Sequence, residues 1–234
     1  MRILALDTAT EACSAALIID GQITSEYQLA PREHSRLILK MIDDLLLQAN
    51  LPVCELDAIA FGCGPGSFMG LRIAAGVVQG IAFAHDLPVI PVSCLKSIAQ
   101  SAYEQTGCKQ VLTAIDARMD EVYWASYRLQ GEQWQLDGQE CVISPDKIQL
   151  SEMLDKTDEA WVGAGTGWQS YKDRLLRTAN GQLQTILPDC LPSAEVIVKL
   201  AVDEFKAGNT VTAAEAVPVY LRNDVAKKPK PVVF

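Results

Sequence analysis

A glycine-rich stretch at residues 62–70 is the part of the sequence best suited to binding an anion. It reads GCGPGSFMG and follows residues 56–61, a mostly apolar segment with the length of a buried strand. A run of small and apolar residues comes next, so we predict a strand-to-helix turn, whose amides can cradle a phosphate. The G-K-[ST] ending of a P-loop is missing. We therefore favour the alternative, in which the glycines supply unusual backbone angles and let the helix approach the sheet.

Residues that bind metals are few and unsuitably spaced. The only histidines are His34 and His85, and Ile38 stands four positions after His34, so the chain has no H-x-x-x-H pair on one helix face. The seven cysteines include no C-x-x-C pair, and their odd number argues against a disulfide framework. We expect no metal site. We interpret His34 as a helix-start residue beside a capping Ser35.

The composition is typical of a globular protein and argues against nucleic-acid-binding and membrane-spanning classes. Of the 234 residues, 49% are apolar and 21% are charged, as in ordinary globular domains. The net charge of -9 argues against direct binding of a nucleic-acid backbone. The longest apolar stretch, residues 73–84, is shorter than the roughly 20 residues that a membrane-spanning helix needs, and no signal peptide is recognisable. With its unpaired cysteines the chain is expected in the cytoplasm and not in a membrane.

The first half of the chain is predicted to fold in the order β-β-β-α-β-α-β. A tight turn at Asp20 and Gly21 joins two of the strands. A 3.6-residue apolar period predicts the first helix, and the second is rich in small residues. Strands are predicted over residues 3–6, 12–19, 22–29, 56–61 and 89–92, and helices over residues 37–49 and from the glycine turn to about residue 84.

The second half begins as the first does. Asp116 ends an apolar strand as Asp7 does, and a turn glycine follows each at nearly the same distance, Gly21 and then Gly131. Further strands are predicted over residues 160–163 and 184–187, and helices near residues 168–178 and 194–207. The chain is therefore predicted to form two similar α/β lobes, residues 1–106 and residues 107–234. A chance echo between two hairpins is the alternative.

Four stretches resemble the TsaB family, also called YeaZ, within the actin and hexokinase-like superfamily of ATPase folds, the ASKHA fold. They are LALDTAT at 4–10, GPGSFMGLRI at 64–73, DARMDEVY at 116–123 and PVYLR at 218–222. The glycine turn is the most specific of them, and together they run from one end of the chain to the other. The resemblance implies an α/β fold of two ASKHA-like lobes, each with a mixed sheet in the order β-β-β-α-β-α-β flanked by helices.

The resemblance also implies a process. In this family the protein is a scaffold and activator of TsaD, which transfers threonylcarbamoyl to tRNA to make threonylcarbamoyladenosine, and TsaE, an ATPase, completes the set. The chain is then expected to be no enzyme, to form a heterodimer with TsaD, to form a homodimer when alone and to meet tRNA only through the complex. No cofactor of its own is implied, and a nucleotide at the interface of the complex is left open. The alternative is a small ASKHA-type ATPase or sugar-kinase-like enzyme.

Asp7 and Asp116 become candidate cofactor-binding residues through this resemblance, because the superfamily holds Mg²⁺ and nucleotide phosphates at these two places. The side chains of Arg118 and Met119 argue against a phosphate loop after Asp116, since such loops need open backbone amides. An aspartate followed by Thr8 also caps a turn. We favour structural roles for both aspartates, whereas the alternative enzyme would use them for catalysis.

The second predicted helix has one face without bulky side chains. Gly76, Gly80 and Ala84 recur at every fourth position, so another helix can approach closely there. That helix belongs either to the same lobe or to a partner. The family resemblance favours a partner interface, formed with a second copy or with TsaD.

The end of the chain carries the only cluster of basic residues. It reads KKPKP at residues 227–231. In an assembled complex such a cluster can contact tRNA. We favour the alternative, a mobile or returning terminal segment, because chain ends are commonly solvated.

Overall fold

The computed structural model describes residues 1–150, 160–179 and 183–222. Within these ranges the strands form two five-stranded sheets, with the orders β3-β2-β1-β4-β5 and β10-β9-β6-β7-β8. Read outward from the central strand, the two orders are the same. The predicted repeat of one α/β unit is therefore confirmed at the level of sheet topology.

The first sheet is a three-strand meander extended by two parallel strands. β1 pairs antiparallel with β2 and parallel with β4. The turn between β2 and β3 has positive φ at Asp20 and Gly21, the backbone that a two-residue hairpin requires. The strands are β1 Arg2–Asp7, β2 Ala12–Ile19, β3 Gln22–Leu29, β4 Ala58–Gly64 and β5 Val89–Ser93.

Three helices accompany this sheet: α1 His34–Gln48, α2 Phe68–His85 and α3 Cys94–Thr106. The apolar stripe of α1 and the small residues of α2 pack on the outer face of the sheet. The sequence pattern did not predict α3. It begins at a Ser93 cap, whose hydroxyl accepts from the Lys96 amide, and ends at Gly107 in the left-handed conformation.

The second sheet consists of β6 Gln110–Asp116, β7 Val122–Gln130, β8 Gln133–Ile143, β9 Trp161–Ala164 and β10 Leu183–Leu187. Its described helices are α4 Thr166–Ser170, α5 Lys172–Thr178 and α6 Ala194–Lys206. The single helix predicted near residues 168–178 is wrong, because the backbone of Tyr171 leaves helical geometry and separates α4 from α5. Between β8 and β9 the described residues include a 3₁₀ turn, Pro145–Lys147. The repeat predicts a helix in this connection, and residues 151–159 of the connection lie outside the described ranges.

The largest apolar core lies between the two sheets. Ile98 of α3 and Ile197 of α6 are fully buried there, together with Ala5 of β1 and Val111 of β6. Separate cores cover the outer faces, one under α1 and α2 and one under α4 and α5. The predicted division at residues 106 and 107 falls between α3 and β6, and the two helices packed between the sheets belong one to each side of that division.

Candidate functional site

The loop after β1 encloses the first candidate aspartate. The Asp7 side chain is 0% exposed, its Oδ1 accepts from the Ala9 amide at 3.1 Å, and the Cys94 thiol lies 3.8 Å from its Oδ2. Burial raises the pKa of Asp7 to about 7, and the hydrogen bonds from Ala9 and Cys94 offset only part of that rise. Near neutral pH this buried carboxyl group therefore takes up a proton readily. A cation binds the ionised carboxylate, so the environment of Asp7 does not favour a cation site.

The glycine turn seals this loop. A Cβ at Gly62 would lie 2.0 Å from Asp7 Oδ2, and a Cβ at Gly70 would lie 1.9 Å from the Thr8 carbonyl oxygen. The Thr8 hydroxyl in turn donates to the Gly70 carbonyl at 2.7 Å. Glycine is required at Gly70 because two backbones approach too closely for any side chain, and at Gly62 because the buried Asp7 carboxylate fills the space.

Two amides at the start of α2 already have partners inside the chain. The Ser67 amide donates to the Ala9 carbonyl at 2.7 Å, and the Gly70 amide donates to the Ser67 hydroxyl at 3.3 Å. These two amides are therefore not available to a bound anion. The geometry agrees with the prediction that these glycines serve close packing.

Asp116, in the loop after β6, differs from Asp7 in its exposure and its hydrogen-bond partners. Asp116 is 14% exposed, and its carboxylate accepts from the Arg118 amide at 2.8 Å, from the Ser170 hydroxyl at 3.0 Å and from the Tyr171 hydroxyl at 3.4 Å. The carboxylate therefore caps its own turn, which is the structural role predicted for such an acid.

The backbone beyond Asp116 is unusual. Arg118, Met119 and Asp120 all have φ near +60°, the left-handed region that residues with side chains rarely adopt. None of these three residues is a glycine, which would adopt this backbone conformation without strain. The conformation has to be held by contacts from elsewhere in the fold.

Arg174 pairs with Asp120 at 3.6 Å, and further contacts come from the segment Ala216–Arg222, which we call the strap. The Gln79 side chain donates to the Ala216 carbonyl at 3.0 Å, and the Val219 amide donates to the Cys63 carbonyl at 2.8 Å. At its far end the Arg222 guanidinium donates to the Ala117 carbonyl at 3.0 Å and to Glu121 at 2.6 Å. The strap thus joins the glycine turn to the loop after β6.

The strap brings together three of the stretches that carry the family resemblance, GPGSFMGLRI, DARMDEVY and PVYLR. Sequence reasoning matched PVYLR but gave it no role. Asp7 and Asp116, in contrast, share no hydrogen bond or ion pair among the described residues. The basic cluster at residues 227–231 lies outside the described ranges.

The face of α2 that carries Gly76, Gly80 and Ala84 is open to solvent. No atom lies within 4 Å of a Cβ built at Gly76 or Gly80, so no described helix of this chain packs there. Phe83, beside the stripe, is 85% exposed. Exposed leucines of α1, Leu39 and Leu47, add further apolar surface to the outer helices.

By length and composition, α2 could cross a membrane. One such helix is weak evidence, because a core helix of a soluble protein meets the same criteria. Ala74, Ala75 and Val78 of α2 are buried in the core beneath the first sheet. Because 33% of its apolar window is buried, packing in the fold explains part of the apolar character of this helix.

The histidines lie apart from both loops. His34 is the first residue of α1 and is buried, and its Nε2 has no hydrogen-bond partner among the described residues. The predicted cap at Ser35 is wrong: the helix starts one residue earlier, with Glu33 as N-cap and no side-chain cap. His85 is exposed at the end of α2. In the described ranges no group of three or more His, Cys, Asp or Glu side chains is placed to hold a metal ion.

Two sheets of equal strand order with helices between them define an α/β protein of the actin and hexokinase-like ASKHA fold, the fold that the family resemblance implied. The solved structure of YeaZ from Pseudomonas aeruginosa is 45% identical, with a TM-score of 0.87 over 94% of this chain and 99% of that chain. A second Pseudomonas aeruginosa structure, described as an uncharacterised protein with similarity to peptidase YeaZ, is 46% identical with the same TM-score and coverage.

Full-length relatives give the family. The tRNA threonylcarbamoyladenosine biosynthesis protein TsaB of Escherichia coli (strain K12) is 44% identical over 232 residues, covering 99% of both chains. The protein of the same name from Haemophilus influenzae is 41% identical over 99% of this chain and 98% of its own. The family model "TsaD: tRNA N6-adenosine threonylcarbamoyltransferase" matches residues 21–230. The chain belongs to the TsaB family of tRNA threonylcarbamoyladenosine biosynthesis proteins, which confirms the resemblance.

Proposed function

We propose that this chain acts in threonylcarbamoyladenosine biosynthesis as a non-catalytic scaffold and activator, which binds a TsaD-type transferase and works with TsaE. The observation that supports this role is the sealed Asp7. The first strand-end carboxylate of the fold is fully buried, protonates readily and is covered by the glycine turn. The second, Asp116, accepts hydrogen bonds from its own turn and from the Ser170 hydroxyl. The chain then contributes its surface and not its own chemistry.

The surface proposed for docking is the open face of α2. A stripe of glycines lets a partner helix approach the backbone closely, and exposed apolar side chains beside it supply area to bury. Gly76, Gly80 and Phe83 are the central residues of this surface. In the absence of the transferase, a second copy of the chain would occupy the same face as a homodimer. The complex would act in the cytoplasm and would be the unit that meets tRNA.

Purified chain should test the non-catalytic role directly. We expect no steady release of ADP from Mg-ATP by the chain alone, and formation of modified tRNA by the transferase and TsaE only when the chain is added. ATP turnover that is lost in both Asp7→Asn and Asp116→Asn would instead establish the small ATPase alternative. Full modification without the chain would contradict the activator role.

The docking face is tested by Gly80→Leu, which places an isobutyl group in the open stripe. Because that group prevents close helix approach, we expect binding to the transferase to weaken at least tenfold and the homodimer to dissociate on sizing chromatography. Asp203→Leu is the matched control, since it adds the same side chain to an exposed position of α6. Equal association by both variants and the unchanged protein would remove α2 as the interface.

A further inference from the structure

The stripe of small residues on α2, Gly76, Gly80 and Ala84, is bordered by larger side chains toward the start of the helix. Phe68 and Arg72 continue the four-residue spacing of Gly76 and Gly80 toward the start of the helix. There the Arg72 guanidinium lies 3.5 Å from the centroid of the Phe68 ring, and its Nε donates to the Tyr220 hydroxyl at 3.1 Å. Tyr220 of the strap therefore forms a wall at the end of the proposed docking face.

Tyr220 is itself available to a partner. Its side chain is 44% exposed, and its ring lies 5.8 Å from that of Phe68, which is half exposed. Tyrosine and arginine are both enriched in protein interfaces, and a tyrosine ring buries a large apolar area there while its hydroxyl keeps a hydrogen-bond partner. A partner helix lying along the stripe would meet this pair where the glycines end.

Arg222 follows Tyr220 by two residues in the strap, and it contacts the loop after β6 instead of the glycine turn. Arg222 is only 16% exposed, and its guanidinium binds the Ala117 carbonyl, Glu121 and the Met119 sulfur. That loop contains the three consecutive left-handed residues, a conformation that side chains disfavour. The strap is therefore one of the segments that hold this loop, together with the Asp116 carboxylate and Arg174.

We propose that Tyr220 belongs to the docking face and that the strap couples occupancy of α2 to the conformation of the loop at Ala117–Glu121. This inference rests on the proposed function, since the occupant is a helix of the partner transferase. A partner that buries Tyr220 restrains the strap, and the restrained strap holds Arg222 against the loop. Coupling of this kind is reciprocal, so a change that frees the loop must also weaken binding at α2.

Hydrogen exchange on the full chain tests the coupling. The Ala117 amide donates to the Glu121 carbonyl, and the Glu121 amide donates to the Arg118 carbonyl, so both report on the loop. We expect the transferase to slow exchange of these two amides at least fivefold. In Arg222→Gln the loop should exchange faster in the free chain, the slowing by the partner should disappear and affinity should fall about fivefold, although residue 222 is off the α2 face. Arg177→Gln, an exposed arginine of α5, is the control and should behave like the unchanged chain.

The outcomes separate the two proposals. If the transferase binds, Gly80→Leu blocks it, and the two amides exchange at equal rates in the free and bound chain, the coupling is wrong while the docking face stands. If Gly80→Leu and the unchanged chain bind equally well, the docking face and the coupling both fail. Tyr220→Phe removes only the hydroxyl that Arg72 binds. A loss of affinity smaller than that of Gly80→Leu supports Tyr220 as part of the surface. Unchanged affinity together with unchanged loop exchange contradicts it.

Discussion

The loops after β1 and β6 occupy the same place in two sheets of equal strand order, and each follows an aspartate. The first loop is closed by the glycine turn, so Asp7 has no access to solvent and a raised pKa. The second is open, and Asp116 is satisfied by amide and hydroxyl donors of its own turn and of the nearby Ser170 and Tyr171. The role of a strand-end acid in this fold is therefore set by the segment packed over it, and not by its position.

The largest expected difference between the two loops is in pH dependence. The pKa of Asp7 rises from 3.8 to about 7 on folding, so between these values the folded chain holds a proton that the unfolded chain has lost. The free energy of unfolding should then fall as pH rises through this window, by up to about 4 kcal/mol. Asp7→Asn, which cannot ionise, should lose that slope and be more stable than the unchanged chain at pH 8.

Urea unfolding at pH 5 and pH 8 measures this effect. Asp116→Asn serves as the control, and it should keep the pH dependence of the unchanged chain. A pH slope in Asp7→Asn equal to that of the unchanged chain would show that Asp7 is not the buried titrating group.

The next largest effect concerns the glycines of α2. Gly70→Ala forces a methyl group against the Thr8 carbonyl, which is backbone and cannot rotate away, so we expect a loss of about 2–3 kcal/mol. Gly76→Ala, on the open face of the same helix, should gain about 0.5–1 kcal/mol because alanine favours the helix. Thermal and urea unfolding of both variants give the comparison, and equal stabilities would contradict the close packing at Thr8.

The smallest effect is expected at the open loop. Asp116→Ala removes the acceptor for the Arg118 amide and the Ser170 hydroxyl, but solvent can replace part of these bonds, so the loss should be about 1–2 kcal/mol. Asp173→Ala, an exposed acid of α5, should change stability by less than about 0.5 kcal/mol. A loss at Asp116 as large as that of Gly70→Ala would erase the distinction between an open and a sealed loop.

Local patterns predicted most of the sheet architecture. The predicted ranges of β2 and β3 match the structure because a turn with a clear chemical signal, Asp20 and Gly21, fixes their register. α3 was missed because its buried face is made partly of small and polar residues, such as Ser97 and Ser101, which do not give a clear apolar period. Its burial arises from packing between two sheets, and a local pattern does not reveal that.

The candidate site could be predicted only in part. The glycine turn was found from its residue types, both aspartates became candidates through the family resemblance, and the turn cap suggested for Asp7 is its hydrogen bond from the Ala9 amide. The strap was not anticipated, because Arg222 binds carbonyl oxygens of residues more than a hundred positions earlier in the chain. Every residue type carries a backbone carbonyl, so the sequence does not show which carbonyls accept a hydrogen bond. A motif such as PVYLR can therefore match a family without showing what it contacts.

The helices packed between the two sheets also affect how the molecule can move. Many proteins of two lobes open and close about a flexible connection, but here α3 and α6 fill the space between the sheets with fully buried side chains such as Ile98 and Ile197. Rotating one sheet against the other would have to break this shared interior. Heating should therefore melt both halves in a single transition, and damage to either half should lower the melting temperature of the whole chain.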